Sequence, residues 1–128
     1  MTGRSWRLEI THLGRPLTAN GMHKKHPIEV TRLRGEWRDA ATVLCRAQRV
    51  PALSKIDVRA QARYRTRRSP SDTDACAPSV KGVIDGLVKA GVLEDDKPPF
   101  VRSVQYIAPQ VGTGLPDALL VWIEEAET

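Results

Sequence analysis

Six consecutive apolar residues, Ala118 to Ile123, form the longest uninterrupted apolar run in the chain. The run is far shorter than the roughly 20 residues needed to cross a bilayer. It does not alternate with polar residues, which predicts a strand buried on both faces. Such a strand must sit inside a covered sheet, so the chain is restricted to layered architectures. With 128 residues there is room for one domain, spanning 1–128. An apolar content of 41% is enough to build one sizeable core.

The other elements follow from periodicity. Trp6 to Leu13 is a strand candidate that ends at the break Gly14-Arg15-Pro16. Pro16 to Val30 has no clear period and contains the turn pair Asn20-Gly21, which predicts an exposed loop. From Thr31 to Arg49, Leu33, Trp37, Ala40, Leu44 and Ala47 form one helical stripe, with Thr31 as N-cap and Pro51 as stop signal. Trp37 lies on that stripe and is expected in the core. Lys55 to Thr66 changes to period two, with Val58, Ala60, Ala62 and Tyr64 alternating with Arg59, Gln61, Arg63 and Arg65. A second helix is expected with Ser79 as cap, an apolar face of Val80, Val83, Ile84, Leu87 and Val88, and Gly91 as a left-handed stop. Gly82 and Gly86, four apart on that helix, suggest close packing on the sheet or on a dimer mate. Strands Val101 to Ala108 and Ala118 to Glu124 complete the order β-α-β-α-β-β. The expected fold is α/β (α+β), a mixed four-stranded sheet packed with two helices.

The net charge of +5 conceals a division. Residues 1–70 carry 16 Lys/Arg against 5 Asp/Glu, and residues 71–128 carry 4 against 10. Such a basic half calls for an anionic partner, and a phosphate backbone is the leading candidate because no segment is long enough to span a membrane. The expected DNA-contacting residues are the strand face and its extension, Arg59, Arg63, Arg65, Arg67 and Arg68, with the loop cluster His23, Lys24, Lys25 and His26. A solvated face is the plainer alternative. However, arginines two apart on a strand repel one another, which favours an anion lying across them. Cys45 and Cys76 follow no disulfide-scaffold or zinc spacing, and Arg4, Arg7 and Glu9 interrupt the N-terminal residues, so a reducing, cytoplasmic setting is expected.

In the acidic half, Asp72 and Asp74 stand two apart, so an extended segment presents both carboxylates on one side. The cluster Glu94-Asp95-Asp96 follows the second helix. Carboxylates at about 4 Å repel by about 4 kcal/mol at an effective dielectric near 20, and a divalent cation relieves that repulsion. An all-oxygen ligand set suits Mg²⁺, or Mn²⁺ in its place. The alternative is that Asp72 and Asp74 are turn and cap residues and that Glu94 to Asp96 is a solvated bend.

The run Lys81, Asp85, Leu87, Ala90, Gly91, Val92, Asp95 and Asp96, preceded by Asp72-Thr73-Asp74, resembles in order and spacing the signature of the RusA-like Holliday-junction endonucleases of phages and prophages. The resemblance covers about a quarter of the chain, over residues 72–104, and departs from the family pattern at Ala75, where asparagine is usual. It implies metal-binding roles for Asp72, Asp74 and Asp96 and a catalytic role for Lys81. It also implies Mg²⁺-dependent cleavage of four-way and related branched DNA by a homodimer in recombination and repair. That setting would be a bacterial or phage-infected cytoplasm. Ala75 leaves a second reading open, a family member that binds branched DNA without cutting it efficiently.

Overall fold

The computed structural model describes residues 3–67 and 72–126. The element order is β1 (Ser5–Ile10), α1 (Ala19–His23), α2 (Pro27–Ala47), β2 (Ile56–Arg63), α3 (Ala77–Lys89), β3 (Val101–Gln110) and β4 (Ala118–Glu125). The four strands form one mixed sheet in the order β1-β4-β2-β3, and β4 is antiparallel to both its neighbours. β2 and β3 run parallel and are joined through α3, because a parallel pair needs a crossover rather than a hairpin. β3 and β4 are consecutive in the chain but not in the sheet, since β2 lies between them.

The apolar run Ala118 to Ile123 forms most of β4, an interior strand of the sheet. Leu119, Val121 and Ile123 on its helix side are fully buried. On the opposite side Ala118 and Leu120 are buried as well and Trp122 is half-buried. Registers Leu8 to Val121 and Ala60 to Val121 align the apolar positions of three strands into the floor of the core. The described residues contain no helix long and apolar enough to cross a membrane.

α2 and α3 pack directly on each other. Two glycines of α3 allow it: a Cβ at Gly82 would lie 2.9 Å from the Arg34 carbonyl oxygen, and one at Gly86 would lie 2.5 Å from that of Arg38. The small residues therefore face α2 rather than the sheet. Thr42, buried at this contact, donates through Oγ1 to the Arg38 carbonyl at 2.8 Å. Trp37 is in the core at 2% exposure, while Ala47, at the end of the expected stripe, is exposed. The buried side of α2 turns instead through Ala41, Thr42 and Cys45.

Both expected helix starts are displaced toward prolines. α2 begins at Pro27, and the N-cap is His26, whose Nδ1 accepts from the Ile28 amide at 3.1 Å. Thr31 is inside the helix, where its hydroxyl donates to the Pro27 carbonyl. α3 begins at Ala77 with Pro78 in its first turn, so Ser79 is helical and buried rather than a cap. A proline costs nothing in a first turn, where its missing N–H would have had no partner. The third helix, α1, occupies what periodicity leaves as a loop. It is 5 residues long, none of them buried, and Thr18 caps it by accepting from the Gly21 amide. With no buried side it has no apolar period to read, and Asn20-Gly21 is part of it rather than a turn.

The end of α3 follows the sequence. Gly91 adopts φ +82°, and the amides of Val92 and Gly91 donate to the carbonyls of Leu87 and Val88. This is a Schellman closure that needs a left-handed residue. The chain is thereby turned toward Glu94, Asp95 and Asp96.

Candidate functional site

A cleft of about 290 Å³ lies between the first turns of α3 and the middle of β3, lined by Ala77, Val80, Lys81, Ile84, Asp96 and Tyr106. Periodicity puts Lys81 on the exposed side of α3, one residue past buried Val80. Asp96 arrives by the Gly91 reversal and is half-buried. Tyr106 pairs with Ala60 across the parallel ladder and therefore points to the helix side of the sheet.

Asp72 and Asp74 lie on the turn that leads into α3. The Asp72 carbonyl accepts from the Ala75 amide at 2.9 Å and that of Asp74 from Ala77 at 3.0 Å, so the turn hands over directly to the helix. Both side chains are exposed. The charge of Asp74 acts on both Tyr106 and Cys76. Burial, with Cys76 and Asp74 adding to it, pushes the Tyr106 phenol above its ordinary value, so it remains an O–H donor at neutral pH. Burial likewise pushes the Cys76 thiol up to about 11, and the Cys45 thiol is also raised to about 11, leaving two free, buried, unreactive cysteines.

The Asp95 carboxylate accepts from the Asp96 amide at 2.7 Å, and hydrogen bonding with Asp96 holds its carboxyl below the usual range. Lys81 forms no ion pair to Asp85 among the described residues, and it lines the cleft. Ala75 is half-buried and contributes only a methyl group where an amide would have offered both a donor and an acceptor. Among the described residues no three His, Cys, Asp or Glu side chains are close enough to enclose a cation. Lys81 and Asp96 share the cleft, while Asp72 and Asp74 are exposed on the turn that leads into α3, with the Asp74 charge acting on Tyr106 of the cleft wall. The donors there are all carboxylate oxygens, with open solvent to complete a coordination shell. That set fits Mg²⁺ or Mn²⁺ and not zinc.

The expected DNA-contacting arginines separate into two groups. Arg59 and Arg63 lie on the sheet face away from the helices, and both are engaged by carboxylates of this chain. Arg59 pairs with Glu124 and stacks 5.4 Å from the Trp122 ring centre. Arg63 has a side chain only 6% exposed, paired with Glu9 at 2.9 Å and donating to the Pro116 carbonyl at 3.0 Å. The anion across this face is therefore supplied internally. Arg65 and Arg67, beyond the end of β2, are exposed and form no ion pair among the described residues. Arg68 lies outside the described residues.

The His23 to His26 cluster forms the exposed joint between α1 and α2. Lys24 is the C-cap of α1, Lys25 is 3.5 Å from Glu29, and His26 caps α2. No side chain positioned as a further metal ligand accompanies the two histidines among the described residues. Sequence reasoning missed Tyr106. Counting alternate positions along β3 from Val104 would have placed it on the same side as buried Ala60.

No protein-family model matches the chain, and no curated protein is similar enough to count as a relative.

Proposed function

We propose that this protein is a Mg²⁺-dependent, structure-specific endodeoxyribonuclease that resolves four-way and related branched DNA junctions, acting as a homodimer. The observation that carries the reading is the convergence of Lys81 and Asp96 in one cleft, with the Asp74 charge acting on Tyr106 of its wall. These residues are 22 positions apart at the extremes, and they are the ones singled out by the resemblance to the RusA-like signature.

Asp74 and Asp96, with Asp72 on the same turn as Asp74, would hold the cation. When bound, it supplies an activated water and charge neutralisation at the phosphate. The Lys81 ammonium places a second positive charge in the same cleft, where negative charge builds up on the phosphoryl oxygens. The Tyr106 hydroxyl remains protonated and orients the phosphate as a neutral donor. The walls contributed by Ala77, Val80 and Ile84 exclude water from one side, which strengthens those interactions. A symmetric dimer would present two such clefts to the two equivalent strands of a junction.

The test is cleavage of a synthetic four-way junction in Mg²⁺. The wild-type protein introduces paired nicks, and Asp74→Asn cuts at least about 10²–10³-fold more slowly while still binding. Equal cutting by the variant would refute the mechanism. The second reading, binding with inefficient cleavage, is favoured by one observation, the methyl group of Ala75 in place of an amide. It predicts that Ala75→Asn accelerates cutting.

A further inference from the structure

A second concavity, of about 320 Å³, is lined by Arg15, Leu17, Thr18, Met22, Lys25 and Tyr64 among others. Among the described residues the groove has two cations and no carboxylate in its lining, whereas Lys81 and Asp96 both line the cleft. Arg15 lies over the Tyr64 ring, 4.7 Å from its centre, and Tyr64 itself is buried at 4% exposure. Stacking through its face immobilises a guanidinium yet leaves the N–H edge available, the geometry suited to a phosphate. Arg15 has no ion pair among the described residues. Lys25 shares its charge with Glu29 at 3.5 Å on the exposed rim.

Groove and cleft are held in a common frame. The Leu17 amide in the groove donates to Ser79 Oγ at 2.6 Å, and Ser79 is buried in the first turn of α3. The neighbours of Ser79 in that turn, Ala77, Val80 and Lys81, line the cleft. The bond replaces the capping role expected of Ser79 and fastens the segment before α1 against the element that positions the candidate catalytic lysine.

We propose that this groove is a second phosphate-binding site, in which Arg15 is a positioning residue that takes the backbone of the DNA strand whose scissile phosphate lies in the cleft. The inference rests on the endonuclease reading and extends it by assigning where that strand runs on the protein. The strand crosses the first turn of α3 between the cation-lined groove and the cleft that Asp96 lines. Arg15, rather than Arg59 or Arg63, then supplies the charge that holds it.

The experiment measures binding of the full chain to a fluorescent four-way junction without divalent metal, across a salt series. Arg15→Gln is expected to weaken binding roughly five- to tenfold near 0.1 M salt. It should also lower the slope of log affinity against log salt by about 0.9, the signature of one lost phosphate contact. Arg15→Lys keeps the slope. Lys25→Gln lowers it by less, and Arg46→Gln, exposed on the last turn of α2, leaves it unchanged. If Arg15→Gln melts early, Lys25→Gln carries the test, and an unaltered slope in it overturns the groove. Wild-type binding that Arg15→Gln does not alter overturns the groove and leaves the endonuclease reading intact. No binding of branched DNA by the wild type overturns both, as does tighter binding of single-stranded RNA than of the junction.

Discussion

Five arginines follow one another along and beyond a single strand, at positions 59, 63, 65, 67 and 68, and the four among the described residues fall into two settings. Arg59 and Arg63 lie within β2, where the register with β4 brings Glu124 near the first. Glu9 of β1 reaches the second across β4. Arg65 and Arg67 lie past Arg63, where β2 has ended, and form no ion pair among the described residues. Asp117 accepts from the Arg65 backbone amide at 2.8 Å rather than from the guanidinium. Identical residue types in one sequence run are thus paired with the chain's own carboxylates where strand pairing continues and, among the described residues, form no ion pair where it stops. The same contrast separates the sheet face from the end of the molecule that carries the cleft and the groove.

The comparison can be broken most directly at Arg63. Replacing it with Met removes a charged hydrogen bond to Glu9 and one to the Pro116 carbonyl, and is expected to cost about 1.5–3 kcal/mol of stability. Urea unfolding measures this, and the salt slope of DNA binding should be unaffected. A changed slope with unchanged stability would mean that Arg63 serves DNA after all. Arg67→Ala is the opposite case. Stability should stay within about 0.5 kcal/mol of wild type, while the salt slope should fall by about 0.9.

The smallest effect is on acid stability. Arg102 and Ser103 hydrogen-bond the Asp57 carboxylate and hold its carboxyl below the ordinary range, with the Arg102 Nε to Asp57 distance at 3.0 Å. A carboxyl depressed in the folded state adds stability above its unfolded value, near 3.8, and that stability is lost as pH falls through the depressed value. Asp57→Asn should therefore lower the melting midpoint slightly at neutral pH and flatten its decline below about pH 4, with the two proteins converging at the acid end. Thermal melts between neutral pH and pH 2 measure it, and parallel curves would show that the pair contributes nothing.

Much of the fold could be read from periodicity because burial imposes it. The alternation in β2, the unbroken apolar β4, the α3 stripe and the Gly91 stop all appear where expected. The features that were misread are those for which local chemistry competes with a tertiary alternative. Ser79 is a good cap by type, but Pro78 starts the helix earlier and frees the hydroxyl for the Leu17 amide. α1 is stabilised by a cap and not by burial, so no pattern marks it. In the candidate site, Lys81 and Asp96 were singled out by the resemblance to the RusA-like signature, and the structure brings both into the lining of one cleft. Tyr106 and Arg15 were not singled out, because each gains its position from a partner distant in sequence, Ala60 through the ladder and Tyr64 through stacking.

By itself, the sequence determined which segments are buried and where the charge of each sign accumulates. Those properties depend on residue type and on spacing along a helix or strand. Only the tertiary structure decided which arginines are paired with the chain's own carboxylates, which face of α3 the glycines serve, and that a second cationic groove shares the α3 start with the cleft. Each of these depends on strand register and helix packing, which bring together groups that no local spacing relates.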